Sequence, residues 1–355
     1  MSVETLSTHP NSRKRGPVRV LIVEDSSTMR AMLRYVLSSE EGIEVVGEAA
    51  DPYEARGAIK RLSPDVITLD IEMPKMNGLD FLQKLMAARP TPVVMVASAT
   101  KAGAEQTMRA LELGALDFIA KPTSTNAVSA LSDLPKKVIS ASKARLSPVM
   151  PNLPKTNEKS KSFKPSRCVV AIGSSTGGVE ALRTVLSKYP ENCPPTVIVQ
   201  HMPPKFTSKF AQRLNNTIDA TVFEAKDGME VKSGHVYIAP GGEKHLQLDY
   251  RSGMHCRLRE GPPRSGHSPS VDEMFASVAK LGNRALGVIL TGMGSDGANG
   301  LMAIRQSGGR TIGQYKSTSV IYGMPRVAYE KGAVERQLPL NLIGPTIIEA
   351  CNANR

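Results

Sequence analysis

Apolar and polar positions along this chain alternate in blocks of two kinds. Residues 19–25 (RVLIVED) form an apolar run closed by two acids, and Met29, Leu33, Val36 and Leu37 in 27–39 have the spacing of one helix face. The couple recurs at 43–49 with 51–62, at 65–70 with 78–88, at 92–98 with 104–114, and at 115–122 with a short helical segment after it. Five strand-then-helix units in about 115 residues, with strands rich in Val and Ile, predict an open parallel sheet covered on both faces. This first unit is expected to span 18–135.

The pattern restarts at 167. RCVVAIGSSTGG (167–178) reads as a buried strand entering a Gly/Ser turn, followed by the helix VEALRTVLSKY. PTVIVQH (195–201) and RALGVILTG (284–292) read as further buried strands, each with a helix behind it. HVYIAPGG, LQL and HCRL are shorter, with an antiparallel pairing among them expected. A second α/β domain with a mainly parallel, doubly wound sheet is expected over 167–350.

Between the two units, 136–166 is rich in Pro, Lys, Ser and Asn and, after its first residues, has no sustained apolar period, so a flexible linker behind a helix tail is expected. Residues 1–17 read as a polar, basic tail. These segments hold most of the formal charge of +12: a net of +2 lies in 1–17 and +8 in 136–167. Little is left for a folded surface, and the chain has no Trp, so nucleic acid is not an expected partner. Four scattered cysteines without a CxxC pair give no zinc ribbon or disulfide scaffold. No apolar run is long enough for a transmembrane segment, which makes a cytoplasmic location the expectation.

The chemistry collects where the strands end. Glu24 and Asp25 close the first strand, Asp70 closes the third, and Lys121 follows the fifth. In an open α/β sheet these positions share one crevice beyond the carboxyl edge. Clustered carboxylates repel unless a cation neutralises them, and an all-oxygen set suits Mg2+. Asp70 is placed to act as a nucleophile toward phosphorus, although acids at strand ends also serve as loop caps.

Residues 18–135 resemble the receiver domain of two-component response regulators. The resemblance implies an acidic pair for the metal at Glu24 and Asp25, a phosphoacceptor at Asp70, and the Lys-Pro pair at Lys121 and Pro122. It also implies a switch aromatic at Phe118. The family's hydroxyl after the fourth strand falls on Ala97, with Ser98 beside it.

In the second unit, GSSTG (173–177) fits G-x-S-x-G and centres Ser175 on a sharp strand-to-helix turn. Such a turn also suits a phosphate site or a simple helix cap. His201 closes the next strand and Asp296 lies in the loop after RALGVIL, so three groups of a Ser-His-Asp set follow three buried strands. Five of the six histidines lie between 201 and 267, but no H-x-x-x-H spacing or cysteine partner supports zinc. His267 is a candidate on the substrate side.

Residues 167–350 resemble the catalytic domain of the CheB family of chemotaxis protein-glutamate methylesterases, and the order of receiver, linker and effector is that family's order. The resemblance implies Ser175 as nucleophile, His201 as base, Asp296 as the orienting acid, and backbone N–H groups near Thr176 and Met293 for the oxyanion. The GHxPSVDxxF segment is present from Gly266 to Phe275, whereas Ser174 stands where many members have Ala. The implied substrate is a glutamate methyl ester on the cytoplasmic helices of a chemoreceptor, with glutamine deamidation as a second activity and no organic cofactor. The implied phosphodonor to Asp70 is a chemotaxis histidine kinase, and the unphosphorylated receiver is implied to cover the esterase site.

Overall fold

A computed structural model of the chain describes residues 16–122, 130–144, 163–164 and 166–353. Residues 1–15 of the expected tail and most of the expected linker at 136–166 fall outside those residues.

The first unit is a five-stranded parallel sheet in the order β2-β1-β3-β4-β5, formed by β1 (Val18–Val23), β2 (Ile43–Ala49), β3 (Val66–Asp70), β4 (Val93–Ala97) and β5 (Asp117–Ala120). Every residue of β3 and β4 is buried, which explains why these strands read as unbroken apolar runs. Side chains fix where the helices begin: Ser26, Asp51, Asn77 and Thr100 each accept a backbone N–H of the turn they open.

The helix expected only as a tail is a packed element, Leu134–Ser142. Its Leu134, Val138 and Ala141, three to four residues apart, enter the same core as Leu33, Val36 and Val94. This helix packs as part of the first unit's core.

The second unit is a seven-stranded sheet, parallel throughout, in the order β14-β13-β12-β6-β7-β9-β8. Its central strands are β6 (Val169–Ser174), β7 (Thr196–Gln200) and β12 (Ala285–Ile289). They are flanked by β8 (Thr221–Glu224), β9 (His235–Ile238), β13 (Arg310–Gln314) and β14 (Arg336–Leu338). HVYI is β9 and pairs in parallel with β7 and β8, so the antiparallel pairing is confined to a separate hairpin of β10 (Lys244–Asp249) and β11 (His255–Glu260). A four-residue strand buried on three of its positions gains more inside the sheet than beside an exposed ribbon.

The two units share one apolar core. Phe118 of β5 meets Phe206 of the helix Phe206–Thr217 with ring centroids 4.5 Å apart. Around this contact Arg213 forms a two-pronged ion pair with Glu112, and Lys209 lies 3.4 Å from Glu105. Among the described residues, no helix is long and apolar enough to cross a membrane.

Candidate functional site

At the carboxyl edge of the first sheet, Glu24, Asp25 and Asp70 offer oxygen atoms within 4.8 Å of one another. Lys121 closes the cluster from the end of β5, its Nζ 2.7 Å from Asp70 Oδ2 and 3.0 Å from Glu24 Oε2. Burial, followed by the nearby Asp70 charge, pushes the Glu24 carboxyl up to about 7. Burial raises Asp70 as well, against the opposing pull of Lys121. Buried carboxylates held this close favour their neutral forms unless a cation is added. Glu24 is fully buried with only the Lys121 ammonium as an ion-pair partner among the described residues, and Asp25 is exposed at the rim. Three carboxylates gathered within 4.8 Å around a single ammonium, an oxygen-only set with an open side at Asp25, fit Mg2+. Ala97, the last residue of β4, is fully buried in the core, with Ser98 next to it.

The second constellation lies at the carboxyl edge of the other sheet, where β6, β7 and β12 end side by side. Parallel pairing sets Ser174 against Gln200, so the turn after β6 carries Ser175 next to the turn that carries His201. Gln200 fastens the two turns together. Its Oε1 accepts the Ser174 hydroxyl at 2.7 Å, and its Nε2 donates to the carbonyls of Ser175 and His201 at 2.9 and 3.1 Å. Gly178 has no room for a side chain, because a Cβ there would stand 2.0 Å from Gln200 Oε1. The two serines are thereby distinguished: Ser174 is fully buried with its hydroxyl engaged, whereas the Ser175 hydroxyl is half-buried and bonded to nothing among the described residues.

His201 Nε2 lies 2.9 Å from Asp296 Oδ2. Asp296 is 1% exposed and also accepts the Ser270 hydroxyl and the backbone N–H groups of Val271 and Asp272. Burial alone would raise its pKa, but the His201 contact and these donors outweigh it and hold Asp296 ionised. An acceptor at Nε2 fixes the proton there, which leaves Nδ1 with a free lone pair. Nδ1 is buried without a hydrogen-bond partner among the described residues, on an imidazole that lines the same cleft as Ser175.

Neither the Thr176 nor the Met293 N–H donates a hydrogen bond among the described residues. These amides flank the point where Gly292 approaches Ser175 so closely that a Cβ on Gly292 would lie 2.8 Å from Ser175 Cβ. Free N–H groups beside an unpartnered hydroxyl are the arrangement required to receive a developing oxyanion.

His267 and Ser270, both in the segment Gly266 to Phe275, join the site, and so does Asp117, which carried no signal of this role in the sequence. His267 stacks on His201 with centroids 3.8 Å apart and 14° between planes, and burial followed by the His201 charge lowers it to about 4. Ser270, part of the same segment, donates its hydroxyl to Asp296. Asp117 reaches across from the first unit, accepting the Thr176 hydroxyl while Lys137 lies 2.6 Å from its other oxygen. With Leu111, Asp117 and Phe118 against Ser175, Thr176 and His201, the remaining cleft measures about 30 Å3. That is room for about one water.

Comparison with known proteins matches both halves of the chain. The family model for CheB methylesterase matches residues 170–347, and that for the response regulator receiver domain matches 20–132. The protein-glutamate methylesterase/protein-glutamine glutaminase 1 of Caulobacter vibrioides is 53% identical over 341 residues, covering 95% of this chain and 99% of its own. Its namesake from Rhizobium johnstonii is 54% identical over 96% of this chain and 98% of its own. Among solved structures, the Thermotoga maritima CheB methylesterase catalytic domain superposes with a TM-score of 0.50 at 41% identity, covering 52% of this chain and 98% of that one. The chain belongs to the CheB family, with a response-regulator receiver domain ahead of a CheB methylesterase domain.

Proposed function

We propose that this chain is a protein-glutamate methylesterase and protein-glutamine glutaminase acting on chemoreceptor cytoplasmic helices, held closed by its own receiver domain until Asp70 is phosphorylated by a chemotaxis histidine kinase. The single observation that carries the chemistry is the unpartnered pair of Ser175 Oγ and His201 Nδ1 in one cleft, with Asp296 behind the imidazole. His201 Nδ1 takes the Ser175 proton as Oγ bonds to the γ-carbonyl carbon of the ester. The oxygen that becomes negative is received by the Thr176 and Met293 N–H groups. The C–O bond to methoxide then breaks, and methoxide leaves as methanol with the proton from His201. Water, deprotonated by the same nitrogen, releases glutamate and restores Ser175. With glutamine the leaving group is ammonia and the acyl-enzyme is the same.

The regulation rests on the placement of β5. One end of this strand supplies Asp117 and Phe118 to the cover over Ser175, and Lys121 at its other end bridges Glu24 and Asp70. Glu24, Asp25 and Asp70 are the residues that would hold Mg2+, which supplies charge neutralisation for phosphoryl transfer. A phosphoryl group on Asp70 competes for the Lys121 ammonium, so β5 and its contacts are the mechanical route to the cover.

The test is methanol release from methylated receptor cytoplasmic fragments, with and without a small phosphodonor and Mg2+. Release that rises with the donor, loses the rise in Asp70→Asn and disappears in Ser175→Ala is the expected result. Full hydrolysis by Ser175→Ala would overturn the nucleophile.

A further inference from the structure

The methylesterase sheet carries Ser175, His201 and Asp296 at its carboxyl edge, and three arginines gather at the opposite edge. The strand register brings them there: β6 and β12 pair Val169 with Ala285, and β12 and β13 pair Leu286 with Arg310. Arg167, Arg284 and Arg310 therefore stand at or just before the amino ends of three neighbouring parallel strands. Neighbouring strands lie about 4.8 Å apart, so the outer two of these strand starts are about 10 Å apart, a distance that long guanidinium side chains span. All three arginines line one solvent-open cleft of about 220 Å3, with Asn283 beside them and Leu286 and Ala350 on its apolar side.

No carboxylate lines this cleft among the described residues. Nor does any of the three guanidinium groups form an ion pair or donate a hydrogen bond among them. Elsewhere in the domain Arg183, Arg213, Arg251, Arg257, Arg264 and Arg326 each hold a carboxylate. Arg167 and Arg284 are exposed and Arg310 is half-buried. Clustered like charges repel, and a crowded carboxyl or ammonium group escapes by changing its protonation state. A guanidinium cannot do so, which leaves a bound anion as the way to neutralise the cluster.

We propose that this cleft is a binding site for a small phosphate compound of the diphosphate class, held by Arg167, Arg284 and Arg310. A carboxylate brings one charge and two oxygens, whereas a phosphoryl group brings three acceptor oxygens and about −1.5 to −2 charges, so two linked phosphoryl groups match three cations better. The planar forks of arginine meet phosphoryl oxygens in pairs. The cleft holds the share of about seven liquid waters, at roughly 30 Å3 each, which suits a small anion. An α-helix, about 10–12 Å across, is too wide to enter it. Ser175 lies beyond the opposite end of β6, so the bound anion is expected to raise resistance to unfolding and to leave ester hydrolysis nearly unchanged.

Isothermal titration of the full chain with inorganic pyrophosphate, without Mg2+ so that the acidic cluster of the receiver takes no part, tests this directly. The expected result is saturable binding of one equivalent, tighter than that of inorganic phosphate and accompanied by a rise in Tm. Arg284→Gln and Arg310→Gln should each weaken it about ten-fold or more. Their Tm without the anion should not fall, because each substitution relieves repulsion. Arg310→Lys keeps the charge and loses the fork, and should also bind more weakly. Arg336 begins β14 and does not line the cleft, so Arg336→Gln should bind as the wild type does. ADP titrated in parallel distinguishes a free diphosphate from one carried on a nucleoside, and the tighter of the two names the source. Absence of saturable binding by either compound would overturn the proposal. So would binding that is undiminished in the two glutamine variants or equally weakened in Arg336→Gln, and so would tighter binding of a hexaglutamate peptide through the same arginines.

Discussion

Thr176 and Asp117 are joined by a hydrogen bond across the boundary between the two domains, the hydroxyl donating to Asp117 Oδ2. Thr176 is 5% exposed and Asp117 7%, so the contact is sealed from water. It fastens the receiver to the residue next to Ser175. A buried hydrogen bond to a charged acceptor contributes about 1.5–3 kcal/mol. Asp117→Ala is therefore expected to raise hydrolysis without phosphodonor by about ten-fold or more, up to the level reached by the stimulated wild type, since each 1.4 kcal/mol is about a factor of ten. Methanol release with and without donor reads both numbers. An unchanged basal rate would mean that this bond does not hold the cover.

The two adjacent serines make the second prediction. Ser174 spends its hydroxyl on Gln200, and Ser175 does not. Ser175→Ala should lower kcat by about 10^4-fold or more, as loss of a nucleophile does. Ser174→Ala should lose about 1 kcal/mol of stability from one buried hydrogen bond, with only a few-fold change in kcat. Steady-state kinetics on a methylated receptor fragment beside urea unfolding separates them, and a reversed pattern would reassign the nucleophile.

Much of this was legible in the chain because it follows from period and edge. Runs such as DVITLD and RALGVIL are buried strands, and groups that end parallel strands meet at one edge, which brought Ser175, His201 and Asp296 together as expected. Which nitrogen of His201 faces Asp296 was not legible, because it depends on how the two loops approach each other. The same holds for Asp117: as the first residue of β5 it looks like any strand-end acid, and its role arises only from docking a second domain. HVYI was short enough to fit either pairing, so packing inside the large sheet decided it.

His267 gives a pH prediction. Its folded pKa of about 4 is depressed below the ordinary value of about 6.5 by burial and the His201 charge. Below about 6.5 the unfolded chain takes up a proton that the folded domain refuses, so stability falls with pH from there down to about 4. The whole interval corresponds to roughly 3 kcal/mol. His267→Gln should remove that part of the acid-side loss, read as the difference between the urea midpoints of wild type and variant from pH 7 to pH 4.5. Identical slopes for the two proteins would show that this imidazole titrates normally.

Arg213 and Glu112 allow the interface to be tested without touching the esterase site. Their two-pronged pair joins the receiver helix Lys101–Glu112 to the helix Phe206–Thr217, and both side chains are about one-third exposed, 35% and 34%. Solvent screening limits what the pair itself contributes to about 1 kcal/mol. Reversing one charge does more, because a repulsion replaces the attraction at the same close approach. Arg213→Glu and Glu112→Arg should each raise basal hydrolysis several-fold, and the double variant should return it toward the wild-type level with its response to phosphodonor restored. Only a direct contact in the closed state produces that reciprocal rescue. If the double variant were as active without donor as the single ones, the two side chains would not meet in the resting protein and the cover would have to dock through another face.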